Sequence, residues 1–326
     1  MKILLFHPAT LPPRDYGGVE RVVLWLAVAL RDLGHSVTIA ALRGSVLPRG
    51  VDLLSLDSSE RSAVDLLRRI PRGIDVVHFQ APPEKGYFQD GAPPSITTIH
   101  GNGKSGETFS DSTFFLSRNH AERHGSTQFV YNGVDPEEFS TAHALGIARR
   151  KSAPLFLSKT SLRTKNLAGA IRIADAAEMN LTIAGGRRPL GLRLRALLSG
   201  HTWVGPVAGE KKRALLAQAS ALLFPIVWDE PFGLVMVEAM LSGTPVVGAR
   251  RGSVPEVVGE LGGIVLDAPE DKGAAPALEE WAAALHRAES LDPEAIRASA
   301  IARFSHRRMA ESYLEVYKQA IRGEFK

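Results

Sequence analysis

Two successive α/β domains, each a parallel sheet wound by helices on both faces, are predicted by three observations. Short apolar runs of strand type alternate with helical patterns from one end of the chain to the other. That alternation resets near Asn132-Gly133-Val134-Asp135 and then repeats. The 326 residues also suffice for two domains of ordinary size.

In chain order, Lys2 to Phe6 reads as a buried strand, followed by a Pro-rich loop and Gly17-Gly18. Val19 to Leu33 has helical character and stops at Gly34. Further strands are expected at 36–41, 51–56, 76–79, 95–100, 113–116 and 128–131. Asp135 followed by Pro136, Glu137 and Glu138 is a helix start, with a cap, a proline at the first position and acids in the first turn. The polar stretch Arg149-Arg150-Lys151-Ser152 then leads into a strand at 154–158, so the domain boundary is set at 150/151. The second half gives strands at 181–184, 202–204, 221–225, 245–248 and 263–266. A terminal helix over 305–321 carries Met309, Tyr313, Tyr317 and Ile321 on one face. The expected organisation is 1–150, 151–304 and a separate final segment 305–326.

Composition narrows the chemistry. Hydrophobic content of 44% and charged content of 23% belong to a globular protein. The absence of cysteine removes disulfides, thiolate catalysis and thiolate metal sites together. A formal charge of +4 suits a solvated surface better than a nucleic-acid face, and also suits an anionic substrate or membrane surface. The Arg-rich segment 67–72 is the candidate for peripheral membrane contact. The longest apolar run, Val22 to Leu30, is far below a membrane span, so the expected location is cytoplasmic, with the inner membrane face as the place of any contact.

The most informative stretch is Asp229-Glu230-Pro231-Phe232-Gly233-Leu234-Val235-Met236-Val237-Glu238-Ala239-Met240. Pro231 and Gly233 can open a helix at about Phe232 to Leu234, leaving the amides of its first turn to attract an anion. Glu230 then stands at the mouth of that site. Glu238 lies about two turns further along, on nearly the same face, where a carboxylate can accept hydrogen bonds from a ribose diol. Read from its residues, this is a nucleotide-sugar site.

The block resembles the signature of the retaining family 4 glycosyltransferases, group 1 enzymes of GT-B fold. The resemblance implies two doubly wound Rossmann-like domains facing across a cleft, with Glu230 toward the donor sugar and Glu238 on the nucleotide ribose. Phe232, Gly233, Leu234 and Val235 fall at the donor-binding turn. Other segments match in order. Tyr16-Gly17-Gly18-Val19 corresponds to the family's Gly-Gly loop facing the donor diphosphate, which gives Gly17 and Gly18 as donor-binding residues. His100, in Thr97-Thr98-Ile99-His100-Gly101, matches its active-site histidine, and His78 has a similar local setting and ranks second. Ser158-Lys159 through Lys165 occupies the place of Gly-Arg, a short loop and Lys-Gly, whose cations neutralise the diphosphate. Lys165 matches; Lys159 stands where the family has arginine, and the loop is one residue longer. Lysine lacks the bidentate fork of arginine, and Arg163 is the cation placed to take over that role. The strand ends 181–186 and 204–207 and the loop Gly252-Ser253-Val254-Pro255-Glu256-Val257 also fit. By this resemblance the final helix crosses back onto the N-terminal domain.

Two lookalikes fail. Gly101-Asn102-Gly103-Lys104-Ser105-Gly106 lacks the glycine that a P-loop needs at position 98, which is Thr98. His120 and His124 flank Glu122 at the wrong offset for a zinc-binding helix, and the sequence contains no Asp-x-Asp. The implied function is transfer of a hexosyl group from a UDP- or GDP-sugar to a hydroxyl of a glycan or lipid-linked glycan, with retention and without a metal or other cofactor. His100, Glu230 and Lys165 are the catalytic candidates; Gly17, Gly18, Lys159, Arg163, Lys165, Phe232, Gly233, Leu234, Val235 and Glu238 bind the donor. A non-catalytic nucleotide-sugar-binding subunit, or another GT-B enzyme such as a nucleotide-sugar epimerase or an inverting transferase, remains open at this level.

Overall fold

The computed structural model describes residues 1–13, 17–83, 91–103, 106–140, 153–186, 190–268 and 274–325. Tyr16, Lys104, Ser105 and the expected boundary at 150/151 lie outside them. The chain forms two compact units, Met1–Asp135 with Phe304–Lys326, and Pro136–Arg303.

The first unit is built on strands β1 (Lys2–Phe6), β2 (Ser36–Leu42), β3 (Asp52–Leu56), β4 (Val76–Phe79), β5 (Ser95–Thr98) and β6 (Thr113–Phe114). They form one parallel sheet in the order β3-β2-β1-β4-β5-β6. Helix α1 (Gly18–Asp32) covers it because Val22, Val23, Leu26, Ala27 and Leu30 recur at helical spacing and are all buried. Helices α2 (Ala63–Leu67) and α3 (Arg118–Arg123) are short, each capped by a serine side chain, Ser62 and Ser117. The expected strand at 128–131 is reduced to one bridge between Phe115 and Phe129. The expected helix after Asp135 begins as a 3-10 turn, Pro136–Phe139.

In the second unit the strands are β7 (Leu155–Ser158), β8 (Thr182–Gly185), β9 (Thr202–Gly205), β10 (Leu222–Phe224), β11 (Val246–Ala249) and β12 (Gly263–Leu266), in the order β12-β11-β10-β7-β8-β9. Counted within its own unit, this is the same strand order as in the first. Its helices are α4 (Leu167–Ala176), α5 (Leu190–Leu198), α6 (Gly209–Gln218), α7 (Leu234–Leu241), α8 (Val254–Val258), α9 (Ala274–Ala288) and α10 (Pro293–Phe304). Trp281 of α9 is buried, and its indole N–H donates to the carbonyl of Asp267 at 3.0 Å.

The unit division falls at Asp135/Pro136, fifteen residues before the boundary placed from polarity. Phe139 explains the difference: it is 1% exposed, and its 3-10 turn packs on α7 of the second unit. The last helix, α11 (His306–Ile321), belongs to the first unit, where it packs on α1, β4 and β5. Its N-terminus is fixed by Ser305, which accepts from the Arg308 amide. Tyr317 and Tyr313 anchor it to the sheet through His78 Nδ1 (2.9 Å) and Thr98 Oγ1 (2.7 Å), and His78 Nε2 meets Thr98 Oγ1 at 2.8 Å. His78 is therefore wholly committed to buried packing and leaves the list of site candidates.

In both sheets the order reverses direction between the first and fourth strands. Open parallel sheets bind ligands at such switch points, beyond the C-terminal strand ends. This places the loops after β1 and β4 in one unit, and after β7 and β10 in the other, where ligand chemistry belongs.

Candidate functional site

The loops after β7 and β10 are stitched together. After β7 the chain makes a 3-10 turn, Arg163–Lys165, and Asn166 then enters the left-handed region (φ 56°) to cap α4. The Asn166 side chain accepts from the Gly169 amide at 3.0 Å and donates to the carbonyl of Pro225, just past β10, at 2.9 Å. The Val227 amide donates to the carbonyl of Thr164 at 3.0 Å. These bonds fix Lys165 beside the segment that carries Glu230.

Lys165 Nζ donates to Glu230 Oε2 at 2.6 Å, and Trp228 Nε1 donates to the same oxygen at 3.0 Å. The ammonium also lies 4.6 Å from the Trp228 ring centroid and 5.6 Å from that of Phe224. The Lys165 and Glu230 side chains keep 15% and 12% of their surface exposed, so the pair is shielded yet reachable. A charge-assisted bond in such a setting is stronger and less screened than one in open solvent.

Beyond Glu230, Pro231 and Phe232 are buried, which anchors the turn. Gly233 adopts φ 80° as the N-cap of α7 without a side-chain cap. The half-buried residues Leu234 and Val235 thus open α7 with amides at its positive end. The donor-binding part expected of Phe232 reduces to holding this turn, since its side chain is 1% exposed. Lys159 and Arg163 are both exposed, two mobile-length cations on the loop after β7.

The two glutamates do not share one helical face, because Glu230 precedes α7 whereas Glu238 lies within it. Each takes its own lysine. Glu238 is fully buried among Met236, Val237, Ala239, Met240 and Leu241, and its Oε2 lies 2.5 Å from Nζ of Lys212 on α6. A carboxylate in such surroundings needs a counter-ion, and Lys212, itself 7% exposed, supplies it.

The loop 250–253 closes on the same segment. The Ser253 amide donates to the Glu230 carbonyl at 2.9 Å, and the Gly252 amide to Asp229 Oδ1 at 3.2 Å. A Cβ on Gly252 would lie 2.4 Å from the Glu230 nitrogen, so only glycine fits. Sequence reading passed over Lys212 and Trp228. Trp228 stands two residues before Glu230, a position that invites inspection; nothing local distinguishes Lys212 from its neighbours Lys211 and Arg213.

In the first unit His100 follows β5, and its Nε2 meets Gln80 Oε1, just past β4, at 2.8 Å. Burial, reinforced by His7 and His120 nearby, lowers the His100 pKa to about 3, so the imidazole is neutral at physiological pH. Its proton sits on Nε2, facing the amide oxygen, which leaves Nδ1 as an acceptor. Gly17 caps α1 from an extended conformation and its carbonyl accepts from Arg21 Nε at 3.2 Å; Gly18 is the first helical residue. A Cβ on Gly17 would fall 2.6 Å from Pro13 Cβ and from Glu20 Oε2, so the glycine serves local packing. Among the described residues no group of three or more His, Cys, Asp or Glu is arranged to hold a metal ion, and no helix is long and apolar enough to cross a membrane.

Comparison with known proteins places this geometry. Residues 161–286 match the family model for glycosyl transferases group 1, a segment that includes Lys165, Glu230, Glu238 and Gly252. The chain is 26% identical to the phosphatidyl-myo-inositol mannosyltransferase of Mycolicibacterium smegmatis over 89% of its own length and 85% of that protein's. It is 28% identical to the Mycobacterium leprae enzyme of the same name over 58% of its length, and spans about half (52%) of that relative. Among solved structures, the avilamycin A biosynthesis glycosyltransferase AviGT4 superposes with a TM-score of 0.80 at 26% identity, covering 99% of each chain. Anabaena Alr3699/HepE, solved with UDP-glucose, shares the fold with a TM-score of 0.67 at 17% identity, covering 98% of this chain and 100% of that one.

Proposed function

We propose that this chain, which matches the group 1 glycosyl transferase model over residues 161–286 and has a GT-B fold, transfers a hexosyl group, with retention, from a UDP- or GDP-sugar to a hydroxyl of a glycan or lipid-linked glycan. The observation that carries this reading is the Lys165–Glu230 pair, held over Trp228 at the switch point and beside the amino end of α7. The donor's C1–O bond breaks with its electron pair passing to the diphosphate. Lys165, the exposed Lys159 and Arg163, and the first amides of α7 stabilise that charge, so the proposed reaction runs without a metal. The acceptor oxygen bonds to C1 and its proton leaves with the released diphosphate. Glu230, oriented by Lys165 and Trp228, is assigned to the sugar hydroxyls, and Glu238 to the ribose, which requires its buried carboxylate to turn from Lys212 when the donor binds. His100 enters as a neutral hydrogen-bonding imidazole with one nitrogen committed to Gln80.

The names of the mannosyltransferase relatives put a mannosyl nucleotide first among donors to try, and the HepE complex adds UDP-glucose. The test is a thermal-shift panel of UDP, GDP, ADP and their common sugars, followed by transfer or donor hydrolysis with any nucleotide that binds. One nucleotide should raise the melting temperature, and Glu238→Ala should abolish that rise. No shift with any nucleotide would overturn the reading; binding without hydrolysis or transfer would favour a non-catalytic subunit.

A further inference from the structure

Helix α5, which joins β8 to β9 at the edge of the second sheet, has an apolar face that its own unit does not cover. Leu190, Leu194, Leu197 and Leu198 are 68%, 60%, 50% and 79% exposed. At about 100° per residue these four leucines fall within an arc of about 100°. Ala196, on the opposite side, is buried, and the helix packs on β9 through that side. Arg193 and Arg195 project at the two borders of the leucine stripe, one on each side, at about 60° and 140° from Leu190 in opposite senses.

The surrounding sequence is cationic throughout. Between Glu178 and Glu210 there is no aspartate or glutamate, while Arg187, Arg188, Arg193 and Arg195 all fall in that interval. A leucine stripe bordered by arginines, in a stretch of sequence without acids, matches a surface that is apolar inside and anionic outside. That is the interface of a bilayer containing acidic lipids: the leucines enter the acyl boundary, and the arginines reach outward to the phosphates. An acid-bearing groove on a protein shares this chemistry only in part. The stripe runs the length of the helix, about two and a half turns, and all four leucines are at least half exposed.

We propose that α5 is an in-plane anchor that docks this protein on anionic membrane surfaces, with Leu194 and Leu198 as its principal inserting residues. The inference goes beyond the donor site and stands independently of it. A polar lipid-linked acceptor would be presented at the same surface.

The test is flotation of the full chain with vesicles of phosphatidylcholine, alone or mixed with phosphatidylglycerol, for the wild type, Leu194→Glu/Leu198→Glu and Arg193→Glu/Arg195→Glu. All four substitutions are at helix positions that glutamate tolerates, and melting temperature confirms folding. The wild type should float with the mixed vesicles only, less so as salt rises. The leucine pair should lower the bound fraction at least about tenfold, with the nucleotide-induced thermal shift unchanged. A wild type that ignores anionic vesicles, or a leucine double variant that binds them equally, overturns the proposal. So does concentration-dependent self-association abolished by the leucine pair, which would make the stripe a contact between copies.

Discussion

Replacing Gly252 by alanine tests the idea that the loop 250–253 sets the position of Glu230. Gly252 has φ +54°, where an L-residue costs about 1–2 kcal/mol. The new Cβ would lie 2.4 Å from Glu230 N and 2.5 Å from Glu230 O, against 3.4 Å or more for ordinary contact. The two loops must therefore part by about 1 Å, a displacement that costs on the order of 10²-fold when it reaches a reacting group. Parting also weakens the bonds from Ser253 and Gly252 to the Asp229–Glu230 segment, worth about 1 kcal/mol each. The expected loss of stability is about 2–4 kcal/mol. Gly259→Ala is the matched control: φ is +61°, but the three nearest atoms to its added Cβ all belong to the Arg303 side chain. The assay is donor hydrolysis per folded molecule, with urea midpoints for both variants. Gly252→Ala should lose about two orders of magnitude of turnover while Gly259→Ala loses stability alone. A folded Gly252→Ala protein that turns over donor within about threefold of wild type would refute the reasoning.

Three further outcomes are expected. Lys165→Met should lower kcat for donor turnover by about 10²–10³-fold, read by steady-state kinetics, with a melting temperature close to wild type. Lys212→Met should destabilise by about 3–5 kcal/mol by stranding Glu238, and Lys212→Met/Glu238→Gln should recover most of that in urea unfolding; a double variant no more stable than the single one would show the pair is not coupled. Acid should destabilise the first unit. Burial lowers the pKa of His78, His100 and His120 from 6.5 to about 3, so between these values the unfolded chain binds protons that the native one does not. Stability from these residues is full above pH 6.5 and falls by about 1.4 kcal/mol per pH unit for each histidine, or about 6 kcal/mol together at pH 5. Urea midpoints across pH 5–7.5 read this, and His120→Phe should remove about a third of the slope.

The parallel layers of both units follow from features a sequence displays directly. Apolar runs such as Lys2–Phe6 and Val246–Ala249 are buried on both faces and alternate with helices, which leaves little choice but parallel α/β layers. The turn from Glu230 through Gly233 was equally legible, since proline and glycine act locally and the cap at Gly233 needs only its own backbone. His78 and His100 show where local reading stops. Both follow similar apolar runs, yet one is locked by Tyr313, Tyr317 and Thr98, and the other by Gln80 at the sheet's ligand-facing edge. The pairing of Glu238 with Lys212, 26 positions earlier, and the fit of Gly252 against Glu230, 22 positions away, likewise depend on residues brought together from different strands and helices. The sequence by itself determined the layers and the acid–turn–helix block, because those rest on periodicity and short-range backbone preference. Only the tertiary structure decided which lysine neutralises which glutamate and which leucines stay in solvent, because charge pairing and burial are properties of neighbours in space.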